Sequence, residues 1–233
     1  LEKRLRYLIS YPYGCIEQTT SSAFPQLHLA RFLQLDQKDK QAVRTNVEAA
    51  VQRLKNFQRT DGGFSYWPNG GSVSSWSTTY VGHFLLEAKA AGYAVPDAML
   101  RAWQQYQKSA ARAWNGQFAD YGWQSKNNFE LDQAYRLYTL ALAEKAELGA
   151  MNRLRERSNL SRAARWQLAA AYMLAGQSSA ANDLTRSLKT DIDAYRELDY
   201  TYGSQLRDRA MMLQALLIVG KNDQADVLAR EIA

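Results

Sequence analysis

Apolar residues return every three or four positions along almost the whole chain, and that period commits it to helices. The cleanest case is Val43, Val47, Val51, Leu54 and Phe57, which lay one apolar stripe along one helix. Only 4 prolines interrupt the 233 residues, and no alternating, strand-period run exceeds about five residues. The spacing predicts a short first helix carrying Leu5, Leu8 and Ile9, ended by Pro12 and Gly14. A second is expected from about Thr19 to Leu35, with Phe24, Leu27 and Phe32 on its buried face. Pro25 is tolerated in its first turns, where a missing N–H leaves no bond unmade. Further helices are expected near 76–92, 97–114, 130–148, 160–176, 179–190, 203–220 and 222–232, several stopped by Gly92, Gly149, Gly176 or Gly220.

Most of the implied connections are short, which favours antiparallel neighbours. The long exceptions are 59–74 and 114–129, both loaded with Gly, Trp, Tyr and Phe. The fold class is therefore all-α, with helical hairpins stacked around one core as a bundle, a solenoid or a closed ring. Alanine-rich stretches at 84–91 and 163–175 can pack closely on both sides, as the inner helices of a ring must. The glycine stops are unevenly spaced, at 57, 27 and 44 residues, so no strict sequence repeat is present.

Composition narrows the chemistry. One cysteine excludes an internal disulfide, and with 2 histidines it leaves almost nothing for a zinc site. No metal and no cofactor is expected. The net charge of +6 comes from basic residues scattered among acids, not from a stripe, so nucleic acid is not expected as a partner. No apolar run reaches the roughly 18 residues a membrane span needs, so no direct membrane contact by this segment is expected. The chain starts at Leu1 without an initiator Met and stops within a helical run ending at Ile232. The expectation is a single domain, 1–233, belonging to a larger multidomain protein.

The sharpest local feature is Tyr11-Pro12-Tyr13-Gly14-Cys15-Ile16-Glu17-Gln18-Thr19-Thr20-Ser21. The single thiol stands three residues before a glutamine at a helix start, and positions i and i+3 share a face there. A helix N-terminus favours negative charge, which suits a nucleophilic sulfur. Cys15 can thus attack the side-chain amide carbon of Gln18, expel ammonia and close an internal thioester. Gly14 gives the turn its backbone freedom, and Tyr11, Pro12 and Tyr13 can wall the acyl carbon off from water. The plain alternative is a buried cysteine acting as an inert small hydrophobe.

The whole string Pro12 to Ser21 resembles the thioester motif of the α2-macroglobulin and complement family, and Tyr11 before it resembles the bacterial members. The resemblance continues through Gln58-Arg59-Thr60-Asp61-Gly62-Gly63-Phe64-Ser65-Tyr66-Trp67, through Trp76 to Tyr80, and through Leu131 to Tyr138 and Leu148 to Leu154. It implies an α/α toroid of inner and outer helices. The family's closing Tyr-Ser-Thr-Gln-like segment is not found, so the ring is expected to be incomplete at the C-terminus. The resemblance also implies roles. Cys15 and Gln18 form the thioester, Tyr11 closes over it, and Glu17 is the motif's acid. The implied function is the thioester domain of a broad-spectrum endopeptidase inhibitor, a single-turnover covalent trap and not an enzyme. Its partners are attacking proteases, caught through lysine amines, and the other domains of the parent chain. The implied location is the periplasm or cell envelope, through a lipid anchor elsewhere in the parent. Members that prefer hydroxyl targets carry a transfer histidine, and the loop from Asp61 to Ser75 has none. Direct attack by amines is therefore expected, with His28 and His83 as structural residues.

Other readings compete. Trp67, Trp76, Trp114 and Trp123 near Asp61, Asp120, Glu130 and Asp132 resemble the platforms and paired carboxylates of a glycan-active enzyme, and some of those are α/α toroids. A prenyl-type toroid lacks its Asp-rich run here. A Cys15–His83 protease leaves Gln18 without purpose. A non-reactive helical interaction module is the general alternative.

Overall fold

The structure, a computed structural model, describes residues 2–116, 129–158, 160–192 and 203–233. Among the described residues there are eleven α-helices, two short 3-10 segments and two isolated β-bridges, with no strand. The chain divides into two compact units, Leu1–Tyr106 and Gln107–Ala233.

The first unit contains α1 (Glu2–Arg6), α2 (Ile16–Ala23), α3 (Gln37–Leu54), α4 (Ser75–Ala90) and the start of α5 (Asp97–Ala113). Helix α3 begins where the Asp36 side chain accepts the Asp39 N–H at 2.7 Å, satisfying one of the free donors of a first turn. Its stripe is buried as the period predicts, from Val43 through Val47, Val51 and Leu54 to Phe57 in the 3-10 turn that follows. Each such side chain contributes about 1.5–3 kcal/mol by leaving water. Both α3 and α4 pack against α2.

The second predicted helix is two elements. Helix α2 starts at Ile16 and stops at Ala23, and a 3-10 segment runs from Pro25 to Arg31. Pro25 has no N–H with which to continue the i→i−4 ladder, so the α-helix cannot pass through it. The changed winding also changes the buried face. Gln26 and Leu29 are buried, Phe24 and Leu27 are half-buried, and Phe32 is 71% exposed. Gln26 is tolerated inside because its amide donates to the carbonyls of Ser10 and Ser22, each at 2.8 Å, and accepts from Asn46 at 3.0 Å.

Helix α4 is buried on nearly every side, from Trp76 to Ala88. Gly82 in its middle explains how Trp103 of α5 reaches it: a Cβ on Gly82 would lie 1.9 Å from the Trp103 indole. That indole is fully buried, and its Nε1 donates to the Thr78 carbonyl at 2.9 Å. Gly82→Ala, usually favourable in a helix, is here expected to destabilise by about 2–3 kcal/mol through overpacking. The melting point should fall by at least about 5 °C. An unchanged melting curve would contradict this packing.

The second unit contains α6 (Phe129–Leu142), α7 (Leu148–Arg155), α8 (Arg162–Leu174), α9 (Ser178–Thr185), α10 (Gln205–Val219) and α11 (Asn222–Ile232). Helix α8 packs against α6, α7, α9 and α10, and α11 packs on α10. Its small alanines, Ala163, Ala164, Ala169, Ala170 and Ala171, are buried around most of its circumference, as close packing on several sides requires.

The helix expected over 130–148 ends at Leu142, and the helix at 148–155 was not expected from the period. Glu144 adopts a left-handed conformation, φ 59°. The N–H of Lys145 then reaches the Leu140 carbonyl at 2.8 Å and that of Glu144 reaches Ala141 at 3.0 Å. The same pair of bonds ends helices at Gly92, Gly176 and Gly220. Gly149 is thus not a stop but part of the first turn of α7.

Candidate functional site

Cys15 is the N-cap of α2, in an extended conformation (φ −69°, ψ 176°), and is buried to 4% exposure. Its carbonyl accepts the first intrahelical bond, from Thr19 N–H at 2.9 Å. Its own backbone N–H donates to Gln18 Oε1 at 3.1 Å. The glutamine side chain therefore folds back over the helix start, with its acyl carbon beside the cysteine. Gln18 itself is exposed.

Gly14 makes this possible twice over. Its φ of +87° lies in the left-handed region, which only glycine enters freely. A Cβ there would also stand 1.9 Å from Gln18 Oε1 and 2.8 Å from Gln18 Cδ. The turn is closed tightly around the amide of Gln18.

Two residues outside the motif hold it. Arg53 of α3 donates to the Gly14 carbonyl at 2.7 Å and to the Thr19 hydroxyl at 3.2 Å, while lying over the Phe57 ring. Tyr66 comes from the glycine-aromatic loop. Its carbonyl accepts Ile16 N–H at 3.2 Å, and its hydroxyl accepts a hydrogen bond from the Cys15 thiol at 3.4 Å. The loop is itself well anchored. Asp61 accepts Gly63 N–H at 3.0 Å, Phe64 N–H donates to the Thr78 hydroxyl at 2.9 Å, and Phe64 is fully buried.

Tyr11 is 46% exposed, and its ring lies 4.4 Å from that of Tyr13, while Pro12 between them is buried. Glu17 is half-buried in the first turn of α2 and accepts the Ser21 hydroxyl at 2.9 Å, one helical turn on. The same hydroxyl lies 3.5 Å from that of Tyr80, whose pKa burial pushes up to about 12.

His83 is buried on α4, edge-on to Phe24 at 5.0 Å. Burial first, and then the neighbouring His28, pushes its pKa down to about 3, so the ring is neutral near pH 7. His28 lies 6.3 Å from the same Phe24 ring. Both histidines thus frame an aromatic cluster.

Three carboxylates of the glycan-enzyme reading have structural duties. Asp61 shapes its turn, Asp132 pairs with buried Arg136 at 3.3 Å, and Glu130 faces Arg157 at 4.0 Å. Of the aromatic platforms, Trp76 is buried and Trp67 exposed. Asp120, Trp123 and most of the 114–129 loop lie outside the described residues.

The chain that carries this arrangement matches a known family. The family model described as the A-macroglobulin TED domain matches residues 1–196. The chain belongs to the A-macroglobulin TED domain family. It is 30% identical to the alpha-2-macroglobulin of Escherichia coli K12 over 93% of its own length, and 31% identical over 90% to that of Xylella fastidiosa Temecula1. It spans only 14% and 13% of those relatives. Among solved structures, a Salmonella alpha-2-macroglobulin reacted with methylamine is similar with TM-score 0.83 and 29% identity, covering 99% of this chain and 16% of the other. These likenesses fit the all-α class and the α/α toroid expected for a TED domain.

Cys15 and Gln18 meet at the start of α2 through the Cys15 backbone N–H and Gln18 Oε1. Arg53 and the role of Tyr66 were missed. Tyr66 lay within the segment carrying the resemblance, so a closer reading could have named it. Arg53 gives no signal in sequence, being a basic residue between two stripe positions.

Proposed function

We propose that Cys15 and Gln18 close an internal thioester and that this TED domain is the covalent trap of a bacterial protease inhibitor. The observation that carries the reading is the Cys15 N–H bonded to Gln18 Oε1 at 3.1 Å, inside a turn with no room for a Cβ at residue 14. That N–H polarises the acyl group and holds the oxygen where negative charge develops when sulfur attacks carbon. Attack by Sγ on Cδ forms the C–S bond, the C–N bond breaks, and ammonia leaves with the proton shed by the thiol.

The closed bond stores reactivity for a later nucleophile. In the parent chain, cleavage by a protease exposes the site, and a lysine amine of the attacker takes the Gln18 acyl group as an amide. Cys15 is left as a thiol and nothing restores the thioester, so the domain acts once and does not turn over. Tyr11, exposed and with its ring tilted against that of Tyr13, is the residue that covers the site in this reading when the parent's other domains press on it. Such a trap acts where foreign proteases arrive, and the proposed location is the periplasm or cell envelope. The relative spanning similar sequence was solved after reaction with methylamine, a small amine that stands in for lysine.

The test is incorporation by the intact parent protein of methylamine and of glycerol at equal concentration, with thiol release followed in parallel. Methylamine should add covalently and free one thiol per chain, far faster than glycerol, because the loop from Asp61 to Ser75 holds no histidine to relay the acyl group to a hydroxyl. Equal rates for the two nucleophiles would contradict direct attack.

A further inference from the structure

We infer that Tyr66 is a catalytic residue of this site, acting as the hydrogen-bond donor to the departing sulfur when the thioester is opened. The inference rests on the thioester reading above and adds a residue to it. Tyr66 Oη lies 3.4 Å from Cys15 Sγ, and the Tyr66 carbonyl takes the Ile16 N–H at 3.2 Å. One residue thus grips both the side chain and the helix start next to it.

With a free thiol, the cysteine S–H donates and the phenol oxygen accepts. A thioester sulfur carries no proton, so in the closed state only the phenol can donate in that contact. The ring need not move, since a hydroxyl hydrogen rotates to suit. When an amine attacks Gln18 Cδ, the C–N bond forms, the C–S bond breaks, and the electron pair passes to Sγ. The hydroxyl then bonds a sulfur that is becoming an anion, where such a bond is strongest. The proton lost by the amine passes to solvent, and one returns to the sulfur when the free thiol is finally formed. Full proton transfer from tyrosine is not required. A phenol, near pKa 10, is a weaker acid than a thiol, near 8.5, so the contribution is stabilisation of the thiolate.

The surroundings favour this role over simple packing. Tyr66 is half-buried, and its ring meets the exposed Trp67 ring edge-on at 5.7 Å. The loop that carries it is pinned by Phe64, Ser65 and the Gly62 turn, where a Cβ would lie 2.1 Å from the Ala102 carbonyl of α5. The hydroxyl is therefore delivered by a rigid loop, as preorganised stabilisation needs.

The experiment uses the intact parent protein, wild type and Tyr66→Phe, with thioester content read as loss of one ammonia by mass. Both proteins should carry the thioester. Methylamine should then release the thiol about tenfold more slowly from the variant, the size expected for losing one hydrogen bond to developing charge. After opening, the pH profile of Cys15 alkylation should move to higher pH in the variant, a shift that a packing role alone would not produce. If Tyr66→Phe fails to fold, 3-fluorotyrosine at 66, a stronger donor of nearly the same shape, should speed the release. Equal rates and equal alkylation profiles overturn the role of Tyr66 while leaving the thioester standing. A wild-type protein that shows no ammonia loss overturns both.

Discussion

Cys15→Ser should abolish methylamine incorporation and thiol release together while leaving the helix intact. Serine is a preferred N-cap, so α2 should start as well as before or better. At 4% exposure the site also accepts the slightly smaller side chain with little loss of contact. Only the chemistry changes. A hydroxyl is a poor nucleophile toward an amide without an adjacent base. The chain should therefore keep its full amide mass, with methylamine incorporation at background. The comparison is made on the intact parent protein by mass and by circular dichroism. A Cys15→Ser protein that still lost ammonia would show that the glutamine reacts with some other group.

The second large effect is expected at Gly14. Gly14→Ala combines two penalties. An L residue at φ +87° pays roughly 1–2 kcal/mol, and the new methyl group would stand 1.9 Å from Gln18 Oε1. The amide of Gln18 must then swing away, breaking the bond from Cys15 N–H that orients it. Thioester content should fall close to zero. Gly92→Ala is the control, because Gly92 has nearly the same φ, +88°, with nothing within 4 Å of the added carbon. It should lose a similar amount of stability and retain a wild-type thioester fraction. If both variants formed the thioester equally, the tight approach of Gly14 to Gln18 would have no functional meaning.

The fold was legible wherever local period decides structure. The stripe from Val43 to Phe57 is buried residue for residue, and α5 and α11 fall within a residue or so of their expected limits. It was illegible where one residue outvoted the period. Pro25 divided a helix that the apolar spacing would have continued. Glu144 took a left-handed stop that a reader looks for at glycine, so the next helix was hidden and Gly149 was misassigned.

The site divides the same way. The pairing of Cys15 with Gln18 depends on three residues of helix geometry, which sequence spacing reports directly. The grips of Arg53 on Gly14 and Tyr66 on Cys15 span 39 and 51 residues. They exist only once α3 and the loop have packed against α2, and no local pattern encodes that. Glycine at 14 could be read as turn freedom, but its closeness to the reacting amide could not.

The most direct measurement is the intact mass of freshly purified parent protein under denaturing, non-reducing conditions, before and after methylamine. The expected mass is lower than that of the encoded chain by one ammonia, rising by one methylamine on treatment as a single thiol becomes titratable. The encoded mass, unchanged by methylamine and accompanied from the outset by one reactive thiol, would contradict a bond between Cys15 and Gln18.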